Sequence, residues 1–131
     1  MKMSEPLLSK LDSYMKIVKG NQIHAPISEL IGMRFTSVEV GGATFELTVN
    51  KTHLNSLGTV QGGIFTIMAD AAMGIAFGSL LNENDKFSTI ELKINFLRPI
   101  SEGKLKAVGK VIHRGKRTGM TECEIFSDDG E

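Results

Sequence analysis

The sequence contains no tryptophan, one tyrosine, three prolines and a single cysteine in 131 residues. One cysteine excludes an intramolecular disulfide framework, and the three histidines are too scattered to give the ligand spacing of a zinc site. With 41% apolar residues, the chain is long enough to bury a core without either kind of cross-link. We therefore expect one globular domain over residues 1–131, with no metal and no cofactor.

An excess of charge of one sign is also lacking, because 15 basic and 15 acidic residues cancel. Net charge therefore gives no reason to expect a nucleic acid or an anionic membrane as a partner. Residues 1–6 are not followed by the apolar run and small-residue cleavage site of a secretory signal. Together with the single cysteine, this favours a cytoplasmic protein.

One long apolar run is present, from Gly62 to Leu81, and its only charged residue is Asp70. A helix of about this length can cross a bilayer. An ionised residue near the centre, four glycines and amphipathic segments on both sides oppose that interpretation. We predict no membrane span but a helix buried inside the domain.

Outside this run, the apolar residues recur first at helical spacing and afterwards alternate with polar residues, as in strands. Gly41-Gly42 between two alternating segments is typical of a two-residue hairpin. Ile90, Leu92 and Ile94 alternate with polar residues, which predicts a strand with one buried face. The predicted elements are helices at 5–19, 26–31 and 62–81 and strands at 34–40, 43–50, 89–96, 104–113 and 117–126. Together they predict an α+β domain with an antiparallel sheet packed on the long helix.

Asp70 is the unusual residue of the long helix, because helical spacing places it among small and apolar neighbours. A buried, unpaired carboxylate is unfavourable, so the group is solvated, hydrogen-bonded or reactive. The structural alternative is an aspartate that caps a loop or pairs with a basic side chain. Gly62 and Gly63 begin the same helix, where free backbone N–H groups stabilise negative charge on an oxygen. Asp70 and the helix start thus offer a base or nucleophile and a donor for an oxyanion.

The residues around Asp70 form a motif that extends upstream. His53, Asn55, Gly58, Gln61-Gly62-Gly63 and Asp70-Ala71-Ala72 stand at the spacing of the HxNxxGxxHGG…D signature. Over about residues 28–130 the sequence resembles the hotdog-fold acyl-CoA thioesterases, especially the phenylacetate-pathway and thioesterase-superfamily-member-2 type. Segments 94–99 and 113–117 resemble two later blocks of the family. The resemblance implies a hotdog fold, in which an antiparallel sheet wraps around a long central helix.

The resemblance also implies a role for each motif residue. Asp70 matches the carboxylate that acts as general base on water or as nucleophile on the thioester carbonyl. Gly62 matches the backbone N–H that polarises this carbonyl. Asn55 matches the residue that positions the water or the carboxylate, and Ser88 matches a supporting hydroxyl. In the family a second subunit completes the site, so a homodimer, or a tetramer of two dimers, is expected.

The sequence departs from the family pattern at two places. Gln61 stands where the family usually has histidine; it is still expected to act at the carbonyl, but glutamine cannot shuttle a proton near neutral pH. Family members also continue past Asp128 into a last strand. At that edge either more chain or a shortened sheet is expected.

A basic segment is concealed by the net charge of zero, because residues 93–117 carry eight basic side chains and one acidic side chain. One interpretation is a solvated strand face. The other is a site for the phosphates of coenzyme A. Nucleic acid fits less well, because aromatic residues do not alternate with the basic ones along this segment. The substrate-binding candidates are Arg98, Arg114, Lys116 and Arg117, together with the motif residues Gly63 and His53, of which His53 could instead shape its loop.

The leading hypothesis is an enzyme that hydrolyses acyl-CoA thioesters. A second hypothesis is an acyl-CoA-binding hotdog protein without turnover, suggested by Gln61. A third is a hotdog dehydratase or hydratase, which needs a histidine paired with its acid, and His53 is the only nearby candidate. The sequence does not specify an aryl, medium-chain or long-chain acyl group.

Overall fold

The computed structural model describes residues 9–128. The elements are α1 (Lys10–Lys19), α2 (Pro26–Ile31), β1 (Met33–Glu39), β2 (Gly42–Thr48), a 3-10 turn (Lys51–His53), α3 (Gly62–Gly78), β3 (Lys104–Arg114) and β4 (Gly119–Ser127). The four strands form one antiparallel sheet in the order β1-β2-β3-β4. The predicted α+β class is confirmed. None of the helices within residues 9–128 is long and apolar enough to cross a membrane.

The first helix is shorter than its periodicity predicts. Ser9 has an extended backbone, and its hydroxyl accepts a hydrogen bond from the Asp12 N–H at 3.2 Å, so α1 begins at Lys10. The predicted start at residues 5–8 lies outside the described residues. The short helix α2 is confirmed and ends at Gly32, whose φ of 76° favours glycine.

The predicted hairpin is confirmed, but its two-residue loop is Val40-Gly41, because Gly42 already belongs to β2 and pairs with Glu39 of β1. Gly41 has a φ of 78°, and the hydroxyl of Ser79 accepts a hydrogen bond from its N–H at 2.7 Å. The same hydroxyl donates to the Ala76 carbonyl at 2.6 Å. These bonds attach the hairpin to the end of α3, which terminates at Gly78 and not at the predicted residue 81.

The core lies between α3 and one face of the sheet. Gly109 of β3 is required at the closest approach, because a Cβ there would lie 2.6 Å from the carbonyl carbon of Ala72. Phe35 and Phe45 stack with ring centroids 4.9 Å apart. The most deeply buried side chains are Phe45, Leu47, Met68, Ala72, Ala76, Leu105 and Ala107. This packing holds the centre of α3 rigidly against β2 and β3.

The prediction of a strand at 89–96 is wrong. Within residues 9–128, no backbone group of residues 87–97 hydrogen-bonds another backbone group. We call residues 87–97 the edge segment. Alternation alone does not make a strand, because a strand also needs a hydrogen-bonded neighbour. The last predicted strand begins at Gly119, two residues later than expected, because Gly115 and Thr118 close the preceding turn.

Candidate active site

Asp70 lies on α3, beyond the core, with its side chain exposed. The hydroxyl of Thr89, on the edge segment, donates to Asp70 Oδ1 at 2.6 Å. A hydrogen bond to an ionised carboxylate is strong and orients the acceptor. The second oxygen, Oδ2, makes no hydrogen bond within residues 9–128. Asp70 therefore presents one fixed and one available oxygen.

The hydroxyl that contacts Asp70 in the structure comes from Thr89. Ser88 is exposed and makes no hydrogen bond to the described part of the chain. Neighbouring side chains of an extended segment point in opposite directions, so only one of the two hydroxyls can face Asp70. Sequence reasoning assigned this position to Ser88 by resemblance and missed Thr89, because a one-residue shift is invisible without the position of the segment.

Asn55 organises the loop before α3. Its Oδ1 accepts hydrogen bonds from the Leu57 N–H at 2.9 Å and the Thr59 N–H at 3.2 Å. Its Nδ2 donates to the Thr59 hydroxyl at 3.0 Å. Gly58 completes the turn with a φ of 81°. Asn55 thus fixes the approach to the helix start, while its amide is occupied by the loop itself.

His53 is buried, and both ring nitrogens have backbone partners. Its Nδ1 accepts a hydrogen bond from the Asn50 N–H at 3.0 Å, and its Nε2 lies 2.6 Å from the Ile31 carbonyl oxygen. This network assigns the proton to Nε2. The geometry favours the loop-shaping alternative for His53 over substrate contact. It also gives His53 no acidic partner, which the dehydratase hypothesis requires.

The start of α3 offers two unpaired donors. The backbone N–H groups of Gly62 and Gly63 have no hydrogen-bond partner among residues 9–128. Gln61 is the N-cap residue; its exposed side chain makes no capping hydrogen bond. The Phe96 ring covers Gly62 so closely that a Cβ there would lie 3.0 Å from it. These donors carry the positive end of the helix dipole and suit an anionic oxygen.

The helix start and Asp70 are too far apart to act on one carbonyl within a single chain. Asp70 lies eight positions after Gly62, which corresponds to about 12 Å along the helix axis. An oxyanion donor and an attacking group must both lie within about 3 Å of the reacting atoms. Within one described chain, the helix start and Asp70 therefore lie in two separate places.

The four basic candidates divide into two pairs. Arg98 donates to the Ser127 hydroxyl at 2.5 Å, and Arg114 donates to the Leu80 carbonyl at 2.9 Å. Lys116 and Arg117 lie exposed in the turn between β3 and β4 and make no contact of this kind with residues 9–128. Within the same range, no group of three His, Cys, Asp or Glu side chains is arranged to hold a metal ion.

Comparison with known proteins identifies the family of this chain. The family model of the thioesterase superfamily matches residues 57–131, and the chain belongs to this family. It is 30% identical to the 1,4-dihydroxy-2-naphthoyl-CoA hydrolase of Escherichia coli, over 70% of this chain and 68% of that protein. It is 28% identical to the hydrolase of the same name from Listeria monocytogenes, over 78% of this chain and 83% of that protein.

The fold itself is that of a solved hotdog structure. The Escherichia coli PaaI protein from the phenylacetic acid degradation operon superposes with a TM-score of 0.77 at 24% identity, over 93% of this chain and 85% of that one. The predicted hotdog fold and the resemblance to hotdog thioesterases are thus confirmed. Thioester hydrolysis is the chemistry that this family membership supports.

Proposed function

We propose that this chain hydrolyses acyl-CoA thioesters, with Asp70 as the group that activates water or attacks the carbonyl. The observation that carries the proposal is the exposed Asp70 carboxylate, oriented by Thr89 on a helix whose N-terminus has two free N–H donors. The relatives that hydrolyse a CoA thioester support the choice of CoA as the leaving group.

In the general-base route, Asp70 takes a proton from water and the resulting hydroxide adds to the thioester carbonyl. The tetrahedral oxyanion accepts hydrogen bonds from the N–H at Gly62, assisted by the amide of Gln61. The C–S bond then breaks, and the departing CoA sulfur recovers the proton from Asp70. In the nucleophilic route, Asp70 attacks the carbonyl itself, and the C–S bond breaks to release the CoA thiolate and leave a mixed anhydride. Water then hydrolyses this anhydride to the free acid and regenerates Asp70, and a proton of that water passes to the CoA sulfur.

A second copy of the chain brings the two halves of the site together in this proposal. The helix start of one subunit faces Asp70 of the other, which removes the separation of about 12 Å. The edge segment offers a surface for that contact, because Ile90 and Leu97 are 84% and 92% exposed. Exposed apolar side chains beside unpaired backbone groups are typical of an interface between strands.

The phosphates of CoA are assigned to the turn between β3 and β4. Lys116 and Arg117 have side chains available for a phosphate, whereas Arg98 and Arg114 already donate to the protein. We therefore expect Lys116 and Arg117 to contribute more to CoA affinity than the other two. Salt weakens such contacts, so KM for acyl-CoA should rise with ionic strength.

The direct test is free-thiol release from a panel of aryl and straight-chain acyl-CoAs. Asp70→Asn should abolish turnover, while Asp12→Asn, the same change at an exposed site on α1, should not. Turnover that survives in Asp70→Asn contradicts the assignment. The rates across the panel also rank the acyl groups as substrates.

The shared site is tested by mixing two inactive variants. Gly62→Val places a side chain against the Phe96 ring and blocks the helix start, whereas Asp70→Asn removes the base. If each site takes one half from each subunit, random mixing restores about a quarter of wild-type activity. A mixture that exchanges subunits and stays inactive contradicts a shared site.

A binding function without turnover is the second candidate. Gln61 favours it, because its exposed amide donates a hydrogen bond but transfers no proton. This candidate predicts acyl-CoA affinity with no thiol release in the unmodified protein, and equal affinity in Asp70→Asn.

A further inference from the structure

Phe96 is an aromatic side chain of the edge segment that lies over the first turn of α3. Three of its ring carbons lie 3.0, 3.2 and 3.7 Å from the position that a Cβ of Gly62 would take. The Phe65 ring lies beside it, with ring centroids 6.0 Å apart and an angle of 59° between the ring planes. Gly62 and Phe65 thus form a notch in α3 that holds the Phe96 ring.

This contact distinguishes the two free donors at the start of α3. Gly62 is half-buried, whereas Gly63 is exposed and a Cβ there would meet nothing within 4 Å. A Cβ lies about 2.5 Å from its own backbone nitrogen. The nearest ring carbon of Phe96 is therefore no more than about 5.5 Å from the Gly62 nitrogen. A ring at this distance excludes water from one side of the N–H, which strengthens a hydrogen bond to a developing oxyanion.

The rest of the Phe96 ring is available to a bound molecule, because the side chain is 59% exposed. An aromatic side chain gains from burial, and one that is already held against a helix loses little freedom when a ligand covers it. Phe65 and Phe96 are both apolar, which suits the carbon chain of an acyl group better than the amide-rich arm of CoA. The acyl side of a thioester is therefore the part that fits beside the ring.

We propose that Phe96 contacts the acyl group at its α-carbon and selects acyl groups that are unbranched or flat at this carbon. The proposal rests on the proposed function, in which the N–H of Gly62 holds the thioester carbonyl. The carbonyl oxygen then lies about 2.9 Å from the Gly62 nitrogen, and the α-carbon lies about 2.4 Å from that oxygen. A methylene or an aryl carbon fits beside the ring, whereas two methyl branches on the α-carbon collide with it.

The first test compares two acyl-CoAs that differ only at the α-carbon, butanoyl-CoA and 2,2-dimethylbutanoyl-CoA. The measured quantity is the ratio of their kcat/KM values in each variant, so the intrinsic difference in reactivity between the two thioesters cancels. Phe96→Ala should raise the relative value for the branched substrate at least tenfold, and Phe96→Leu should raise it less. Phe87→Ala should leave the ratio as in the wild type. It is the matched control, because Phe87 contacts Phe77 from the other part of the edge segment, with ring centroids 5.8 Å apart.

The second test needs no turnover. It measures by NMR how fast the amide protons of Gly62 and Gly63 exchange with water. In the unmodified protein, Gly62 should exchange at least fivefold more slowly than Gly63, because the ring covers only Gly62. Phe96→Ala should remove this difference, and Phe87→Ala should retain it.

The outcomes separate this proposal from the proposed function. Equal exchange at the two glycines of the unmodified protein overturns the cover over Gly62. An unchanged substrate ratio in Phe96→Ala overturns the selection, and so does an equal shift in Phe87→Ala.

If no acyl-CoA releases thiol, the proposed function fails, and the ratio is taken from the dissociation constants of the same two acyl-CoAs. A tenfold shift of that ratio in Phe96→Ala supports the selection, and an unchanged ratio overturns it.

Discussion

The two inner strands and the edge segment have the same kind of sequence but different structures. Phe45 of β2 alternates with polar neighbours, is fully buried, and lies in a strand paired on both sides. Ile90 of the edge segment alternates in the same way and is 84% exposed, with no backbone partner within residues 9–128. Alternation therefore predicts an extended chain with two different faces. Whether that chain becomes a strand depends on its neighbours.

The largest expected effect is a loss of stability in the inner region of the sheet. Gly109→Ala places a Cβ 2.6 Å from the Ala72 carbonyl carbon and 2.8 Å from the Met73 nitrogen, which are backbone atoms of α3. We expect the free energy of unfolding to fall by about 3 kcal/mol or more, because β3 must move away from the helix. Urea denaturation measures the change.

The control for this prediction is Gly74→Ala on the facing helix. A Cβ at Gly74 would meet only Phe87, at an ordinary 3.8 Å. This variant should be more stable by about 0.5–1 kcal/mol, because glycine is unfavourable inside a helix. A Gly109→Ala protein as stable as the wild type contradicts the close contact between β3 and α3.

The second effect concerns the exposed face of the edge segment. Ile90→Asp and Leu97→Asp should each weaken the proposed association of two copies at least a hundredfold, about 2.7 kcal/mol, because a charge replaces an apolar contact at the proposed interface. Sedimentation at several concentrations measures this change. Ile23→Asp is the control, since Ile23 is 60% exposed but lies before α2. An unchanged dimer in both edge variants would show that the copies meet elsewhere.

The third effect is confined to one hydroxyl of the edge segment. Thr89→Val should lower kcat about tenfold, since it removes one hydrogen bond to a charged group. Its stability should change by less than about 0.5 kcal/mol, since Thr89 is exposed. Thr89→Ser keeps the hydroxyl and should restore the rate. A larger loss from Ser88→Ala than from Thr89→Val would return the supporting role to Ser88.

Part of the fold and part of the candidate site could be predicted from the sequence. The helix at 62–78 and the hairpin at Gly41 were predictable, because periodicity and glycine pairs are local signals. Asp70 was predictable because a lone charge in an apolar helix is conspicuous. The contact between Thr89 and Asp70 was not, because it depends on where an unpaired segment crosses the helix. The internal hydrogen bonds of Arg98 and Arg114 also connect residues distant in sequence.

The smallest effect comes from His24, whose ring packs against β1 and β2 at the side of the sheet away from β4. Its ring makes edge contacts with Tyr14, Phe35 and Phe45 at centroid distances of 6.3, 5.5 and 5.8 Å. Its Nδ1 is buried and has no hydrogen-bond partner among residues 9–128. Burial lowers the pKa of His24 below its usual 6.5, because desolvation disfavours the charged ring.

The sign of the resulting pH dependence follows from this shift. As the pH falls, His24 is protonated in the unfolded chain before it is protonated in the folded chain. The contribution of neutral His24 to stability is therefore fully present above the ordinary pKa and is lost as the pH falls through the lower, folded value. His24→Phe should therefore flatten the fall of unfolding free energy between about pH 7 and pH 5, measured by urea denaturation. Tyr14→Phe keeps the neighbouring ring and should retain the wild-type slope. An equally steep slope in His24→Phe would mean that other groups cause the acid sensitivity.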